Sequence, residues 1–176
     1  MILNNIKLFC TDIDGVWTDG SMYYSEKGDE LKKFHTYDSA GVFFLKEIGI
    51  DTVVITSENT EMVKRRADKL GIKYIFQGVS NKLSLCSKLC KKNKLNLSNI
   101  AFIGDDLNDL PLLKKVGLSA CPDNAPSYIK NIVDWVIPIN GGAGVYRFFA
   151  EKYLKEIGKL DYVIEKISNR NNLESQ

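Results

Sequence analysis

The sequence predicts an α/β fold in which a Rossmann-like parallel sheet is flanked by helices. Short apolar runs, each long enough for one buried strand, alternate with amphipathic segments of about ten residues. This alternation is typical of βαβ units, whose helices cover both faces of a parallel sheet. The chain has 176 residues, of which 44% are hydrophobic and 26% charged, as is usual for one globular domain. We therefore expect a single domain over residues 1–176, with a β-hairpin inserted after the first strand.

The first predicted strand ends at a pair of acids, and a predicted hairpin follows it. An apolar run over Ile6–Cys10 ends at Asp12 and Asp14, which a glycine follows. Two aromatic segments around a Gly-containing turn, Ser21–Tyr24 and Glu30–Phe34, predict a hairpin at about residues 20–35. Because an isolated hairpin is marginal in water, we expect it to pack either on another subunit or back on its own domain.

The remaining elements follow from apolar spacing and from the capping residues at their ends. Strands are expected over Asp51–Ser57, Tyr74–Phe76, Ile100–Gly104, Leu118–Cys121 and Trp135–Ile137. Helices are expected over Ser39–Ile48, Asn81–Asn93, Leu110–Val116 and Ala125–Ile132. Another helix is expected to run from a cap at Asn59 or Thr60 to Leu70, and a last one from the glycines at 141–144 to about Ile157. The polar residues from Asn169 to Gln176 predict a frayed tail.

Composition and charge exclude several classes of function. The 24 lysines and arginines nearly balance the 22 aspartates and glutamates, which gives no electrostatic argument for a nucleic-acid or membrane partner. No apolar run is long enough to span a membrane, and the first residues lack the pattern of a signal peptide. We therefore expect a cytoplasmic protein. The four cysteines lack zinc-ligand spacing and are expected to be reduced and partly buried, although Cys86 and Cys90, four apart on a predicted helix, leave a metal or disulfide role open.

Polar side chains follow three of the predicted strands and open the helix after a fourth. They are Asp12 and Asp14, Thr56 and Ser57, Asp105 and Asp106, and Lys82. Because the carboxyl ends of parallel strands meet at one edge of a sheet, we expect these groups to converge there. Two acids spaced i, i+2 share one face of a strand and repel each other unless a cation compensates. Mg²⁺ with oxygen ligands is such a cation.

This constellation suits phosphoryl transfer through a covalent aspartyl-phosphate. Asp12 would attack phosphorus, while Asp14 would protonate the leaving alkoxide and then deprotonate water. Asp12, Asp105 and a backbone carbonyl near Asp14 would hold Mg²⁺. Thr56 would bind phosphate oxygens, and Lys82 would add a positive charge. Each residue also has an ordinary alternative role: Asp12 and Asp14 as turn residues, and the others as a helix cap, a solvated lysine or first-turn acids.

These residues resemble the four motifs of the haloacid dehalogenase-like phosphatases, in that family's order. The matching stretches are D-I-D-G-V-W-T-D-G at 12–20, I-T-S-E at 55–58, Lys82, and G-D-D-L-N-D at 104–109. The resemblance extends over roughly Lys7 to Leu154. We expect a chain of this length to lack the cap domain of many members, so the resemblance points to the capless branch of 3-deoxy-octulosonate 8-phosphate phosphatases and related nine-carbon phosphatases.

The resemblance also implies an assembly. Members of the capless branch are tetramers in which the hairpin after the first motif helps to roof a neighbour's active site, and Ser21–Phe34 matches that position. The glycines at 141–144, followed by Arg147, match the branch's glycine-rich segment. By resemblance, we expect a homotetramer in which hairpins complete neighbouring sites and the chain after this segment reaches an adjacent subunit's site.

The resemblance leaves two classes of substrate open. Octulosonate enzymes typically read I-T-G-R at the second motif, whereas this chain has Ser57 and Glu58 in the last two places. A glutamate at this place, Glu58, together with Lys69 one helix later, resembles the pattern of the 2-keto-3-deoxynononate 9-phosphate phosphatases. There the glutamate would accept hydrogen bonds from sugar hydroxyl groups, and the lysine would offset its charge. Ser57 replaces a glycine and is expected to crowd the phosphate loop. The expected substrate-binding residues are Thr56, Ser57, Glu58, Lys69, Asn108, Thr36 and Arg147.

The sequence therefore predicts a Mg²⁺-dependent phosphatase for a phosphorylated 3-deoxy-2-keto sugar acid, either 2-keto-3-deoxynononate or N-acylneuraminate 9-phosphate. The alternative substrate is 3-deoxy-D-manno-octulosonate 8-phosphate, of lipopolysaccharide synthesis. A non-catalytic subunit on the same fold is a second alternative, although a scaffold would not need Asp12, Asp14, Lys82 and Asp105. A response-regulator-like phospho-acceptor is disfavoured by the general acid Asp14.

Overall fold

The structure, a computed structural model, describes residues 3–173 and contains one parallel sheet and one separate hairpin. The strands are β1 Leu8–Thr11, β2 Tyr23–Ser25, β3 Gly28–Leu31, β4 Asp51–Ile55, β5 Tyr74–Phe76, β6 Ile100–Ile103, β7 Leu118–Pro122 and β8 Trp135–Ile137. The α-helices are α1 Asp38–Glu47, α2 Glu61–Lys69, α3 Lys82–Lys92, α4 Leu110–Leu113, α5 Ser127–Lys130, α6 Val145–Glu156 and α7 Leu160–Leu173. Within these residues, no helix combines the length and the apolar character that crossing a membrane requires.

The six-stranded sheet has the order β5-β4-β1-β6-β7-β8, and all of its neighbouring strands are parallel. The first strand lies at the centre, where Thr11 pairs with Val54 of β4 on one side and with Ile103 of β6 on the other. The chain winds outward in both directions from β1. A crevice forms at such a reversal of strand order, outside the carboxyl ends of the strands. The predicted α/β fold is confirmed, and the predicted acids follow its two central strands.

The sheet is buried on both faces because helices cover each of them. On one face, Phe9 packs against Phe149 and Tyr153 of α6, with ring centroids 4.8 and 4.9 Å apart. On the other face, Cys10 lies with Cys86 of α3 in a second apolar cluster. Every residue of β1 is buried, as expected for a parallel strand between two helical layers. All four cysteines are buried and free.

The C-terminal segment differs from its prediction. The sequence interpretation missed α7, which continues to Leu173 and so includes the first residues of the tail predicted from Asn169. The fraying of that tail stays a prediction, and residues 174–176 lie outside the described residues. The signal for this helix was present in the spacing of Leu160, Val163 and Ile167, all of which pack on the core. Elsewhere the differences are small, since most helices and strands are shorter than predicted by a few residues at their ends.

The glycine-rich segment at 141–144 supports the loop that follows β1. The Gly142 N–H donates to the Val16 carbonyl at 2.8 Å, and the Gly141 N–H donates to Asn124 Oδ1 at 2.9 Å. A side chain at Gly141 would place its Cβ 1.8 Å from the carbonyl oxygen of Gly15. Glycine is therefore required for this close approach. The contact couples the start of α6 to the loop that carries the predicted acids.

Candidate active site

The predicted polar residues surround a cavity of about 320 Å³ at the carboxyl edge of the sheet. Loops after β1, β4 and β6 contribute most of its wall. Its lining residues are Asp12, Asp14, Gly15, Asp19, Gly20, Thr56, Ser57, Glu58, Asp105, Asp106, Asn108 and Asn124. The predicted convergence of the three strand ends is therefore observed.

Lys82 lies beneath the cavity between two buried carboxylates. Its Nζ atom is 2.9 Å from Asp12 Oδ1 and 2.6 Å from Asp109 Oδ1, and its side chain is only 1% exposed. Burial by itself lowers the pKa of the Lys82 ammonium, but the charges of Asp12 and Asp109 outweigh it and raise that pKa above its usual value. Lys82 is therefore a fixed cation that holds Asp12 in place.

Three carboxylates form a tight acidic cluster around this lysine. Asp12, Asp105 and Asp109 each place an oxygen within 4.8 Å of the other two. The Oδ1 atom of Asp105 is buried and has no hydrogen-bond partner among residues 3–173. Burial and the charges of the neighbouring Asp12 and Asp109 raise the pKa of Asp105 to about 8. Crowded acids with an unsatisfied buried oxygen fit a hard cation, because a cation would offset their repulsion.

Asp109 is a member of this cluster that the sequence interpretation missed. One of its oxygens accepts from Lys82, and the other accepts the backbone N–H groups of Asp105 and Asp106 at 2.9 and 3.3 Å. It thereby ties the Asp105 loop to the lysine. The available signal was its spacing, since Asp109 falls four residues after Asp105 in one acidic run.

Asp14 has a different environment from the acidic cluster. Its Oδ1 atom accepts from Lys32 Nζ at 2.5 Å and from the Thr18 hydroxyl at 3.2 Å. Its Oδ2 atom is buried without a partner in the described part of the chain. The carboxylate of Asp14 is not part of the close cluster, in which Asp109 accompanies Asp12 and Asp105. The ligand predicted from Asp14 was a nearby backbone carbonyl, and that assignment stays a prediction.

The loop after β4 is fixed by its own hydrogen bonds. The Thr56 hydroxyl accepts the Glu58 N–H at 3.2 Å, so this side chain organises the turn that lines the cavity. Ser57 is exposed, and its hydroxyl donates to the Val79 carbonyl at 3.2 Å and accepts from the Asn108 amide at 3.1 Å. The serine side chain is accommodated by these partners, which link the loops after β4 and β6.

Three predicted substrate-binding residues do not line this cavity in a single copy of the chain. Arg147 donates to Glu151 at 2.7 Å and lies over the Tyr37 ring, 5.2 Å from its centroid. Thr36 and Lys69 are exposed. Their roles in binding substrate stay predictions.

Comparison with known proteins identifies the family of this constellation. Residues 55–149 match the family described as haloacid dehalogenase-like hydrolase. The 3-deoxy-D-manno-octulosonate 8-phosphate phosphatase of Haemophilus influenzae is 38% identical over 157 residues, which are 89% of this chain and 87% of that protein. The protein of the same name from Escherichia coli K12 is also 38% identical, over 89% of this chain and 84% of its own length.

Solved structures agree with the sequence comparison. The crystal structure of 3-deoxy-D-manno-octulosonate 8-phosphate phosphatase from Moraxella catarrhalis, in complex with a magnesium ion, a phosphate ion and the sugar acid, superposes with a TM-score of 0.89 at 36% identity. It covers 94% of this chain and 95% of that one. The cobalt-bound phosphatase from Haemophilus influenzae gives a TM-score of 0.85 at 37% identity over 90% and 92% of the two chains.

Proposed function

Because this chain belongs to the haloacid dehalogenase-like hydrolases, we propose that it is a Mg²⁺-dependent phosphatase whose nucleophile is Asp12. The observation that carries this proposal is the carboxylate of Asp12, paired with the buried Lys82 at 2.9 Å and facing a polar cavity. The match to the two named phosphatases covers 87% and 84% of their lengths. The site thus combines a nucleophile, a fixed cation and an acid–base group in one cavity.

Hydrolysis proceeds in two displacements at phosphorus. An oxygen of Asp12 forms a bond to phosphorus while the bond between phosphorus and the ester oxygen breaks, and Asp14 gives its proton to the departing alkoxide. Asp14 then takes a proton from water, which attacks the phosphorus and releases inorganic phosphate together with the free Asp12 carboxylate. Lys82 keeps Asp12 oriented throughout, since both of its partners are fixed within 2.9 Å.

The residues present fit a magnesium site. Asp12 and Asp105 would supply carboxylate oxygens, of which Asp105 Oδ1 is buried without a partner in residues 3–173, and the backbone of Asp14 would supply a carbonyl. Mg²⁺, when bound there, neutralises charge between the nucleophile and the phosphoryl oxygens. Asp109 is already engaged by Lys82 and by two backbone N–H groups, so its role is to brace the ligands. The crystal structure from Moraxella catarrhalis contains a magnesium ion.

The comparisons favour an eight-carbon substrate. The curated relatives cited above are named for 3-deoxy-D-manno-octulosonate 8-phosphate, and the Moraxella catarrhalis structure contains the corresponding sugar acid. We therefore place this substrate first, ahead of the nine-carbon acids that the sequence motif favoured. The comparisons do not specifically support 2-keto-3-deoxynononate or N-acylneuraminate 9-phosphate.

One observation keeps the nine-carbon acids as the second candidate. Glu58 lines the cavity, at the place where octulosonate enzymes typically carry an arginine. A carboxylate there can accept hydrogen bonds from additional hydroxyl groups, whereas it would repel the carboxylate of the substrate. The two substrates therefore make opposite demands on this position.

Mg²⁺-dependent phosphate release from the three sugar-acid phosphates, measured side by side, tests both the proposed nucleophile and the proposed substrate. The eight-carbon substrate is expected to have the highest kcat/KM, and Asp12→Asn is expected to abolish turnover of all three. Asp68→Asn, an exposed aspartate outside the cavity, is the matched control and should retain activity. Activity that survives in Asp12→Asn would refute the proposed nucleophile.

The substrate question has its own variant. If Glu58 selects for nine carbons, Glu58→Arg should raise kcat/KM for the eight-carbon ester relative to the nine-carbon esters, while Glu58→Gln tests the charge alone. A preference that is the same in wild type and Glu58→Arg would exclude Glu58 as the selecting residue. The catalytic assignment does not depend on this result.

We also propose that the hairpin β2–β3 contacts a neighbouring copy in a homotetramer. Tyr23, Tyr24 and Leu31 on the hairpin are 49%, 71% and 64% exposed, and Tyr23 is paired with Leu31 across the two strands. They form an exposed apolar patch of the kind that a partner covers. A neighbouring copy could also bring Thr36, Lys69 or Arg147 to the cavity. Sedimentation of wild type and of Tyr24→Ser should show a tetramer that the substitution weakens. A wild-type monomer would refute the assembly.

A further inference from the structure

We propose that Lys32 is a positioning residue for the acid–base group Asp14. The proposal rests on the function proposed above. Lys32 follows β3, and its Nζ atom lies 2.5 Å from Asp14 Oδ1. The two residues are 18 positions apart, so the hairpin must fold back over the loop after β1 to bring them together.

The burial of Lys32 indicates a specific role for this ion pair. The Lys32 side chain is only 1% exposed, whereas that of Asp14 is 25% exposed. Removing a lysine ammonium group from water costs free energy unless the group is paired with an opposite charge. Burial therefore favours the ion pair between Lys32 and Asp14 over an unpaired Lys32. By contrast, Lys33 pairs with Asp19 at 2.8 Å while its side chain is 59% exposed. The adjacent lysines therefore make one buried and one solvated link between the hairpin and the same loop.

The two oxygens of Asp14 are not equivalent. Oδ1 accepts from both Lys32 and the Thr18 hydroxyl, at 2.5 and 3.2 Å. Oδ2 is buried and has no partner among the described residues. Lys32 and Thr18 therefore anchor the carboxyl group of Asp14 through one oxygen and fix its orientation in the cavity wall.

This arrangement matters only for esters whose leaving group needs a proton. When the bond between phosphorus and a sugar oxygen breaks, the alkoxide takes a proton from the carboxyl group of Asp14, whose position Lys32 fixes. The p-nitrophenolate ion is stable without protonation, so the same step with p-nitrophenyl phosphate needs no acid. The ratio kcat/KM reports events up to the release of this first product. A positioning role predicts a loss that depends on the leaving group, whereas a purely structural role predicts an equal loss for both.

The test compares Lys32→Met with Lys33→Met, which makes the same chemical change at the adjacent ion pair. Each variant is assayed with Mg²⁺ on p-nitrophenyl phosphate and on a series of alkyl phosphates that includes the sugar-acid esters. Lys32→Met is expected to lower kcat/KM for alkyl esters by about 100-fold, in line with the loss of general acid catalysis, and for p-nitrophenyl phosphate by less than about threefold. Lys33→Met should change neither value by more than about threefold, and Lys32→Arg, which keeps the charge, should restore part of the alkyl activity.

The outcomes separate this inference from the proposed function. An equal loss on both ester types, or no loss on either, would overturn the positioning role. Turnover of alkyl phosphates other than sugar acids would remove the proposed substrate class and still allow the comparison. No turnover of any ester by the wild type would overturn the proposed function and this inference with it. If Lys32→Met does not fold, the same comparison is made with Lys32→Arg, for which a selective loss on alkyl esters supports the role and an equal loss refutes it.

Discussion

Replacing Gly15 by alanine should inactivate the site by displacing one acid. Gly15 has φ +83°, and a Cβ at this residue would lie 2.0 Å from Asp105 Oδ2 and 2.4 Å from its Cγ. Ordinary contact between carbon and oxygen needs more than 3 Å, so the carboxyl group must retreat by roughly 1 Å or more. A displacement of that size at a reacting centre typically costs about 100-fold in rate.

Gly20 supplies the matched control for this substitution. It also has a left-handed backbone, with φ +77°, but its Cβ would meet no atom closer than 3.7 Å. Both substitutions therefore carry the left-handed penalty of about 1–2 kcal/mol, and only Gly15→Ala moves Asp105. We expect both variants to lose a similar amount of stability from backbone strain, with a further loss in Gly15→Ala from the collision.

The assay is phosphate release as a function of Mg²⁺ concentration, together with the thermal midpoint Tm with and without Mg²⁺. Gly20→Ala should keep kcat/KM within about threefold of wild type, while Gly15→Ala should fall about 100-fold and lose most of the Mg²⁺-dependent rise in Tm. Equal activities in folded samples of the two variants would refute the reasoning, because they would show that Asp105 can move without consequence.

Three further predictions follow from the same cavity. Burial and the charge of Asp109 raise the pKa of Asp12 to about 7, and the charge of Lys82 opposes this rise. Lys82→Met removes that opposing charge, so the acidic limb of the pH profile of kcat/KM should move to higher pH by about one unit or more; an unmoved limb would contradict this pairing. The raised pKa of Asp105, about 8, means that its contribution to the stability of the metal-free protein is present at low pH and is lost as the pH rises through that value. Since a cation favours the ionised form, Mg²⁺ should raise Tm more at about pH 8.5 than at about pH 6.5, and Asp105→Asn should remove the difference. Ser57→Gly breaks the link to Asn108 without touching Asp12, so kcat should stay within about threefold of wild type; a tenfold loss would place the Ser57 hydroxyl among the groups that bind phosphate.

The parts of the site that the sequence predicted are those fixed by local order along the chain. Asp12, Thr56 and Asp105 each follow a recognisable buried strand, and in a parallel sheet such positions meet at one edge. Their convergence therefore needed only the strand pattern and the rule for parallel connections. Lys82 was found for a similar reason, because it opens the helix that follows a predicted strand.

The contacts that the sequence did not predict depend on three-dimensional packing. Lys32 reaches Asp14 only because the hairpin folds back over the loop after β1, and no periodicity encodes that direction. Asp109 has an ordinary alternative role as a first-turn acid, and only the structure shows both of its oxygens engaged. The substrate interpretation rested on Glu58, whereas similarity over most of the chain favours the eight-carbon ester.

The contact between the glycine-rich segment and the loop after β1 has a consequence for biosynthesis. The loop with Asp14 leaves the ribosome early, but the Gly141 and Gly142 backbone that braces it is made roughly 120 residues later. At 5–20 residues per second, that interval is on the order of ten seconds. During it the nascent chain has the nucleophile but not the support for its acid–base loop, so we expect an unfinished chain to be inert towards phosphate esters until the start of α6 has been added.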